Sequence, residues 1–292
     1  MATTETASPR FADIEDWPSA DLVDGIVEGQ FAAIAAVRAA GPAIAKAIDA
    51  AAARLADGGR LIYVGAGTSG RIAAQDAAEL PPTFNWPYER AVPVMAGGER
   101  ALLKAVEGAE DNREAARQAL RDLDVGPKDV VVALAASGRT PFPIAALDYA
   151  RAVGALGVGI LNNPGSRLGE VSDIPILLDT GPEFIAGSTR MKAGTAQKVA
   201  LNALSTGIMI RLGYVYRGKM VEMRLSNVKL QERAEKMVAE LTGAALPAIR
   251  DALVQAGGRI SLAVLMLTKS LSAPEAEKVL KAAKGNLRDA LK

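Results

Sequence analysis

Short apolar runs alternate with helix-patterned segments through the middle of the chain, and this alternation decides the fold class. Strands are predicted near residues 60–65, 91–96, 129–135, 156–162 and 174–179, and helices near 71–80, 98–107, 110–123, 141–153 and 189–212. Strands spaced by helices in this way predict an α/β fold: a doubly wound parallel sheet with helices on both faces, three layers in all. The run from Asp129 to Ala135 is apolar almost throughout, as expected of a strand buried on both faces. Residues 1–18 read as an irregular, Pro-interrupted arm. From Ser19, an N-cap with Asp21 in the first turn, a helix is expected to about Ala39. Gly41-Pro42 breaks it, a second helix reaches about Leu55, and Asp57-Gly58-Gly59 leads into the first strand. Beyond about Leu212 come a turn at Tyr214-Val215-Tyr216, a helix over 227–242 and short helices near 246–257, 260–271 and 273–292. The expected division is an arm with two helices (1–56), a central α/β domain (57–243) and a three-helix module (244–292).

The junctions between strands and helices carry the candidate chemistry. The first strand ends in Gly65-Ala66-Gly67-Thr68-Ser69-Gly70-Arg71, a glycine turn leading into a helix, which presents backbone N–H groups to an anion. Its Gly-x-Gly-x-x-Gly spacing invites a dinucleotide reading, which needs a carboxylate at the end of the next strand to hold a ribose hydroxyl. That strand ends in Gly97-Gly98 before Glu99, whereas the Thr68-Ser69 pair suits a small phosphate. A second junction, Ala136-Ser137-Gly138-Arg139-Thr140, follows the third strand. A third, running from Gly181 to Lys192, supplies Glu183, Ser188, Thr189 and Lys192. Glycine turns also occur merely as connections, but three in one sheet with hydroxyls in each point to a phosphorylated, hydroxyl-rich ligand. A sugar phosphate fits best.

Composition narrows the chemistry further. The 292 residues include no Cys and no His, which removes disulfides, thiolate nucleophiles, Ser-His dyads and nearly every zinc site. Acid–base work then falls to Glu, Asp, Lys or Tyr, and no metal or cofactor is called for. A net charge of +1 gives no basic surface for nucleic acid. No run is long and apolar enough to span a bilayer, and Met1 to Arg10 lacks a signal-peptide core, so a soluble, cytoplasmic chain is expected.

Two carboxylates stand out by position. Glu79 follows Asp76-Ala77-Ala78 at the expected end of the helix that the first glycine loop begins, just before Pro81-Pro82, a pair expected to stop that helix. A carboxylate there opposes the helix dipole, and a plain surface residue is the simpler reading. Glu110 lies near the expected start of the next helix, where acidic residues are common. On periodicity alone it is not separable from Glu107, Asp111 or Glu114.

Taken together, the three loops resemble the sugar isomerase (SIS) domain. More narrowly, Glu79-Leu80-Pro81-Pro82-Thr83-Phe84, Ala105-Val106-Glu107-Gly108-Ala109-Glu110-Asp111 and Ser226-Asn227-Val228-Lys229-Leu230 resemble the N-acetylmuramic acid 6-phosphate etherase family, in order from about residue 8 to 240. The family often has Cys where Leu80 stands, a thiol not expected to act in catalysis. The last helices resemble the small ubiquitin-associated-like end of that family. The resemblance implies a flavodoxin-like sheet and cleavage of a D-lactyl ether from a sugar phosphate by elimination and rehydration. It further implies Glu79 as the acid that protonates the departing lactate and then activates water, and Glu110 as the C2 base. Gly67, Thr68, Ser69, Ser137, Gly138, Arg139, Thr140, Glu183, Ser188, Thr189 and Lys192 are the expected substrate contacts. A homodimer is implied as well, with sites at its interface, where Glu79 and Glu110 can come from different subunits. Two alternatives stay open: an aldose–ketose isomerase, which has no use for an acid at a C3 ether, and a non-catalytic sensor like the glucokinase regulatory protein, which needs the loops but not both carboxylates.

Overall fold

The computed structural model describes residues 3–292. The arm consists of 3-10 turns at Thr3–Glu5, Pro9–Phe11 and Ile14–Asp16. Helices α1 (Ser19–Ala39) and α2 (Gly41–Ala56) then meet at 55°. Pro42 falls in the first turn of α2, where its missing N–H has no partner to lose.

The expected alternation follows as β1 (Leu61–Gly65), α3 (Gly67–Phe84), β2 (Ala91–Met95), α4 (Arg100–Leu103), α5 (Arg113–Asp122), β3 (Val130–Ala135), α6 (Pro141–Ala152), β4 (Leu156–Leu161), α7 (Arg167–Val171), β5 (Ile174–Leu177) and α8 (Lys192–Arg211). The five strands are parallel in the order β2-β1-β3-β4-β5. Every residue of β1, β3 and β4 is buried. Ile62, Val64, Val131 and Ala133 share a core with Ala116 and Leu120 of α5 and Phe142, Ala146 and Ala150 of α6. On the other face α2 packs against β3, β4 and β5, which completes three layers.

A bidentate ion pair fastens the strand entrances. Arg60 donates from Nε to Asp129 Oδ1 at 3.0 Å and from Nη2 to Oδ2 at 2.7 Å, while the Arg60 and Gly126 backbone N–H groups donate to the same carboxylate at 2.9 and 3.0 Å. Burial raises the Asp129 pKa, but Arg60 and the two N–H groups outweigh it and hold the carboxyl below its ordinary value. Its contribution is therefore full above the ordinary carboxylate pKa and is lost as pH falls through the lowered value. Asp129→Ala should cost about 1–3 kcal/mol at neutral pH, because the Arg60 and Gly126 backbone N–H groups and Arg60 Nε lose their acceptor while the guanidinium keeps only the Leu123 and Asp124 carbonyls. The difference in urea midpoint between wild type and variant should narrow below about pH 4; a gap unchanged at pH 3 would exclude this linkage.

Several elements differ from expectation. Helix α3 continues through Pro81 and Pro82 to Phe84: a proline's fixed φ is helical, and the lost donors and ring crowding fall near the helix end, where few bonds remain to break; the left-handed Asn85 (φ 54°) follows the last turn. The helix expected over 98–107 shrinks to α4, bounded by Gly97 and Gly98 at positive φ and an extended Lys104. Glu110 sits in a separate 3-10 turn, Ala109–Asp111, since the Asn112 side chain caps α5 by accepting from the Ala115 N–H at 2.9 Å. Helix α8 begins at Lys192 rather than 189.

Two compact units divide the chain: Met1–Ala78 with Tyr88–Gly207, and Glu79–Pro87 with Ile208–Lys292. In the second unit, Tyr214-Val215-Tyr216 enters a hairpin of β6 (Val215–Tyr216) and β7 (Lys219–Met220), turned by Arg217 and Gly218 at positive φ. Helices α9 (Val228–Thr242), α10 (Leu246–Gln255), α11 (Ile260–Lys269), α12 (Ala273–Ala282) and α13 (Leu287–Ala290) follow. The helix expected over 273–292 is two, separated by Lys284 (φ 54°) and Gly285 (φ 82°). Ala234 and Val238 of α9 share one core with Ile249, Leu253, Ile260, Val264, Leu280 and Leu287.

Candidate functional site

The strand order reverses direction between β1 and β3, and the crevice outside the carboxyl ends of such strands is where open α/β sheets bind ligands. The β1–α3 turn is held by close backbone approach. A Cβ at Gly65 would lie 2.7 Å from the Gly70 nitrogen, and one at Gly70 would lie 2.8 Å from the Gly65 oxygen. Gly67, at φ 54°, opens α3, so Thr68 and Ser69 occupy its first turn, where helix geometry leaves the N–H groups without intrahelical acceptors. The β3–α6 turn is fixed in a similar way. Gly138 is at φ 65°, its N–H donates to the Ala135 carbonyl at 3.0 Å, and a Cβ there would meet Ser166 Oγ at 2.0 Å. Ser137 Oγ accepts from the Arg139 N–H at 3.2 Å, and Pro141 begins α6.

These turns form one wall each of a cleft of about 310 Å³, lined by Gly67, Thr68, Ser69, Ser137, Thr140, Thr189, Glu110 and Glu5. An adjoining space of about 240 Å³ is lined by Arg71, Met95, Val106, Glu107 and again Glu110. Of the four acidic residues that periodicity left together, Glu110 alone lines both. Arg71 secures that side by donating to the Leu102 and Ala101 carbonyls at 3.0 and 2.9 Å. The cleft thus brings hydroxyls, helix N–H donors and carboxylates together in one lining, a combination suited to an anionic, hydroxylated ligand with a proton to remove.

Other expected site residues are committed to partners of their own or stand outside this lining. The Ser69 hydroxyl lines the cleft but donates to Gln197 Oε1 at 2.9 Å; Gln197 donates to Asn162 at 3.1 Å, and Asn162 to the Leu178 carbonyl at 2.8 Å. Glu183 is fully buried and caps α8, accepting from the Lys192 and Ala193 N–H groups at 3.0 and 2.9 Å. The Lys192 ammonium donates to the Pro182 carbonyl; burial lowers its pKa and the Glu183 charge opposes that. Ser188 is half-buried and its carbonyl accepts from Met191, while Arg139 and its side chain are exposed. Glu79 is exposed on α3, within the second unit.

Sequence reading missed two features. Glu5 belongs to an arm with no periodic signal. Asp76 is buried in α3, where it accepts from the Tyr63 hydroxyl (2.9 Å), Asn202 (2.9 Å) and Ser205 (3.2 Å). Burial pushes its carboxyl up and those donors pull it back; burial and the Asp76 charge together push the Tyr63 hydroxyl well up. A lone Asp inside an alanine-rich helical stretch was the available sign. Among the described residues no group of three or more His, Cys, Asp or Glu is placed to hold a metal ion, and no single helix is long and apolar enough to cross a membrane.

Known proteins agree with this architecture. The family described as glucokinase regulatory protein N-terminal SIS domain matches residues 43–151, and the SIS domain matches residues 112–207. The N-acetylmuramic acid 6-phosphate etherase of Deinococcus radiodurans is 49% identical over 99% of this chain and 94% of its own length. Those of Lactobacillus gasseri and Cronobacter sakazakii are 45% and 46% identical, each over 99% of this chain and 97% of their own. A solved phosphoheptose isomerase from Francisella tularensis, 21% identical, shares the fold with a TM-score of 0.52 over 67% of this chain and 98% of that one.

Proposed function

The chain belongs to the N-acetylmuramic acid 6-phosphate etherase family, and from that membership we propose how its residues divide the reaction. The chain is a carbon–oxygen lyase. It cleaves the D-lactyl ether of N-acetylmuramate 6-phosphate to N-acetylglucosamine 6-phosphate and D-lactate. In the ring-opened sugar the C1 aldehyde acidifies the C2 proton. The Glu110 carboxylate takes that proton, the C3–O bond breaks, and the Glu79 carboxylic acid gives its proton to the departing ether oxygen. Glu79, now ionised, takes a proton from the water that adds to C3, and Glu110 returns a proton to C2. Each carboxyl thus ends as it began, as a two-step acid–base cycle requires. The observation that carries the assignment of Glu110 is its place on the wall shared by the hydroxyl-lined cleft and the adjoining space.

Thr68, Ser137, Thr140, Thr189 and the first-turn N–H groups of α3 are the proposed phosphate and sugar contacts, with Ser69 acting through its backbone. Glu183 and Lys192 support these contacts by fixing the start of α8.

The working form proposed is a homodimer in which Glu79 and Glu110 of one site come from different subunits. Support comes from an apolar stripe on α1, where Val23 (57% exposed), Val27 (53%), Phe31 (72%) and Ile34 (49%) recur at helical spacing. The expected parts — helical arm to residue 56, binding domain to 243, terminal module after it — are retained as proposed functional divisions. A phosphate dianion does not cross a bilayer unaided, which supports a cytoplasmic location.

Purified protein should release D-lactate from N-acetylmuramate 6-phosphate at a rate unchanged by EDTA and should act poorly on the unphosphorylated sugar. Lactate-dehydrogenase-coupled assays of both sugars check this, and no lactate from the phosphorylated one would overturn the proposal.

A further inference from the structure

The N-terminal arm is built into the cleft. Thr4 is fully buried, and Asn163, just past β4, holds it and Thr3 by three hydrogen bonds: the Thr4 N–H and Thr3 Oγ1 donate to Asn163 Oδ1 at 3.3 and 2.9 Å, and Asn163 Nδ2 donates to Thr4 Oγ1 at 3.0 Å. Asn163 is itself fixed by donating to the Ala136 carbonyl, at 2.8 Å, in the second hydroxyl turn. The Thr4 carbonyl accepts from the Gly187 N–H at 2.9 Å, in the third polar loop. Farther along the arm, Phe11 and Trp17 stack around Phe184 of that loop, with ring centroids 4.6 and 6.2 Å away. These anchors hold Glu5 over Gly187, where an added Cβ would come within 2.9 Å of Glu5 Oε2, and bring it to the lining of the same cleft as Thr68, Ser137 and Glu110.

We propose that Glu5 is a substrate-binding residue whose carboxylate accepts hydrogen bonds from the sugar hydroxyls, making the arm a working part of the site. This rests on the sugar-phosphate reading of the cleft. A carboxylate accepts hydrogen bonds and donates none, so it has nothing to offer a phosphate oxygen. Opposite a hydroxyl it makes a charge-assisted bond, stronger than a neutral one. The cleft is thereby divided: hydroxyls and N–H donors take the phosphate, and Glu5 takes the polyol. Its anchoring to two of the three loops means that the acceptor is positioned before the ligand arrives, which lowers the cost of binding.

The test compares Glu5→Ala and Glu5→Gln with wild type for KM, kcat and competitive inhibition by inorganic phosphate. Losing a hydrogen bond to a charged group should raise KM for N-acetylmuramate 6-phosphate by about tenfold or more in Glu5→Ala, with kcat within about threefold. Inorganic phosphate, which has no polyol, should inhibit both variants at least as well as wild type, since a negative charge has been removed. An unchanged KM in Glu5→Ala would overturn the proposal. So would a phosphate inhibition constant that rises in step with KM, because Glu5 would then only be propping the loops. If wild type releases no lactate, the etherase reading fails by itself. Glu5 is then judged by calorimetric binding of N-acetylglucosamine 6-phosphate, with the same tenfold weakening expected in Glu5→Ala and no weakening counting against it.

Discussion

Glu79→Gln should lower D-lactate release by about 10²- to 10⁴-fold, the usual worth of a positioned general acid, while the C2 proton of the substrate continues to exchange with solvent deuterium. The amide matches the carboxyl in size but has no proton of the right acidity for the ether oxygen, so the leaving lactate departs as an unprotonated alkoxide. On the proposed division of roles, removal of the C2 proton falls to Glu110 and needs only the C1 aldehyde. Glu110→Gln should therefore abolish exchange and release together. NMR in deuterated buffer with a coupled lactate assay separates the two variants; full lactate release by Glu79→Gln would take that residue out of the mechanism. Glu79 stands in the body of α3, five residues before its end, and its substitution touches no hydrogen bond that holds the helix. Loss of activity without loss of melting temperature is the expected pattern.

Mixing these two inactive variants should restore activity. If a site takes Glu79 from one subunit and Glu110 from the other, a dimer with one copy of each variant has one site with both carboxylates changed and one with both intact. Half of the wild-type sites return in such mixed dimers. With both carboxylates drawn from one subunit, every site keeps one lesion and none returns. Mixing after mild denaturant exchange, followed over time by lactate release, reads the difference directly; no recovery in verified mixed dimers would sink the shared-site proposal.

Local chemistry was legible where function and local structure coincide. The glycines of the β1–α3 and β3–α6 turns are needed by the backbone path itself, and the strand alternation put both turns at one edge of the sheet. Thr68, Ser137 and Thr140 could be found in this way. Glu183 was read as a ligand contact because it sits in a polar loop, yet the closest unpaired donors are the first N–H groups of α8, and it caps them. Glu5 was out of reach because its position depends on Thr4 meeting Asn163, 159 residues away, and no periodicity reports such a contact. Glu110 is indistinguishable from its acidic neighbours by periodicity: the Asn112 cap detaches it, with Asp111, from α5, and only its place on the lining of both spaces sets it apart.

The buried chain from Ser69 through Gln197 and Asn162 to the Leu178 carbonyl bears on the heat of binding. It joins the glycine loop to α8 and to the residue just after β5, through three side chains committed to one another and a backbone carbonyl. A ligand at the glycine loop would therefore meet backbone N–H groups with little freedom left to lose. Such a site gains its affinity from enthalpy at a small entropic cost, and it discriminates by the fit of fixed atoms rather than by closing around whatever enters.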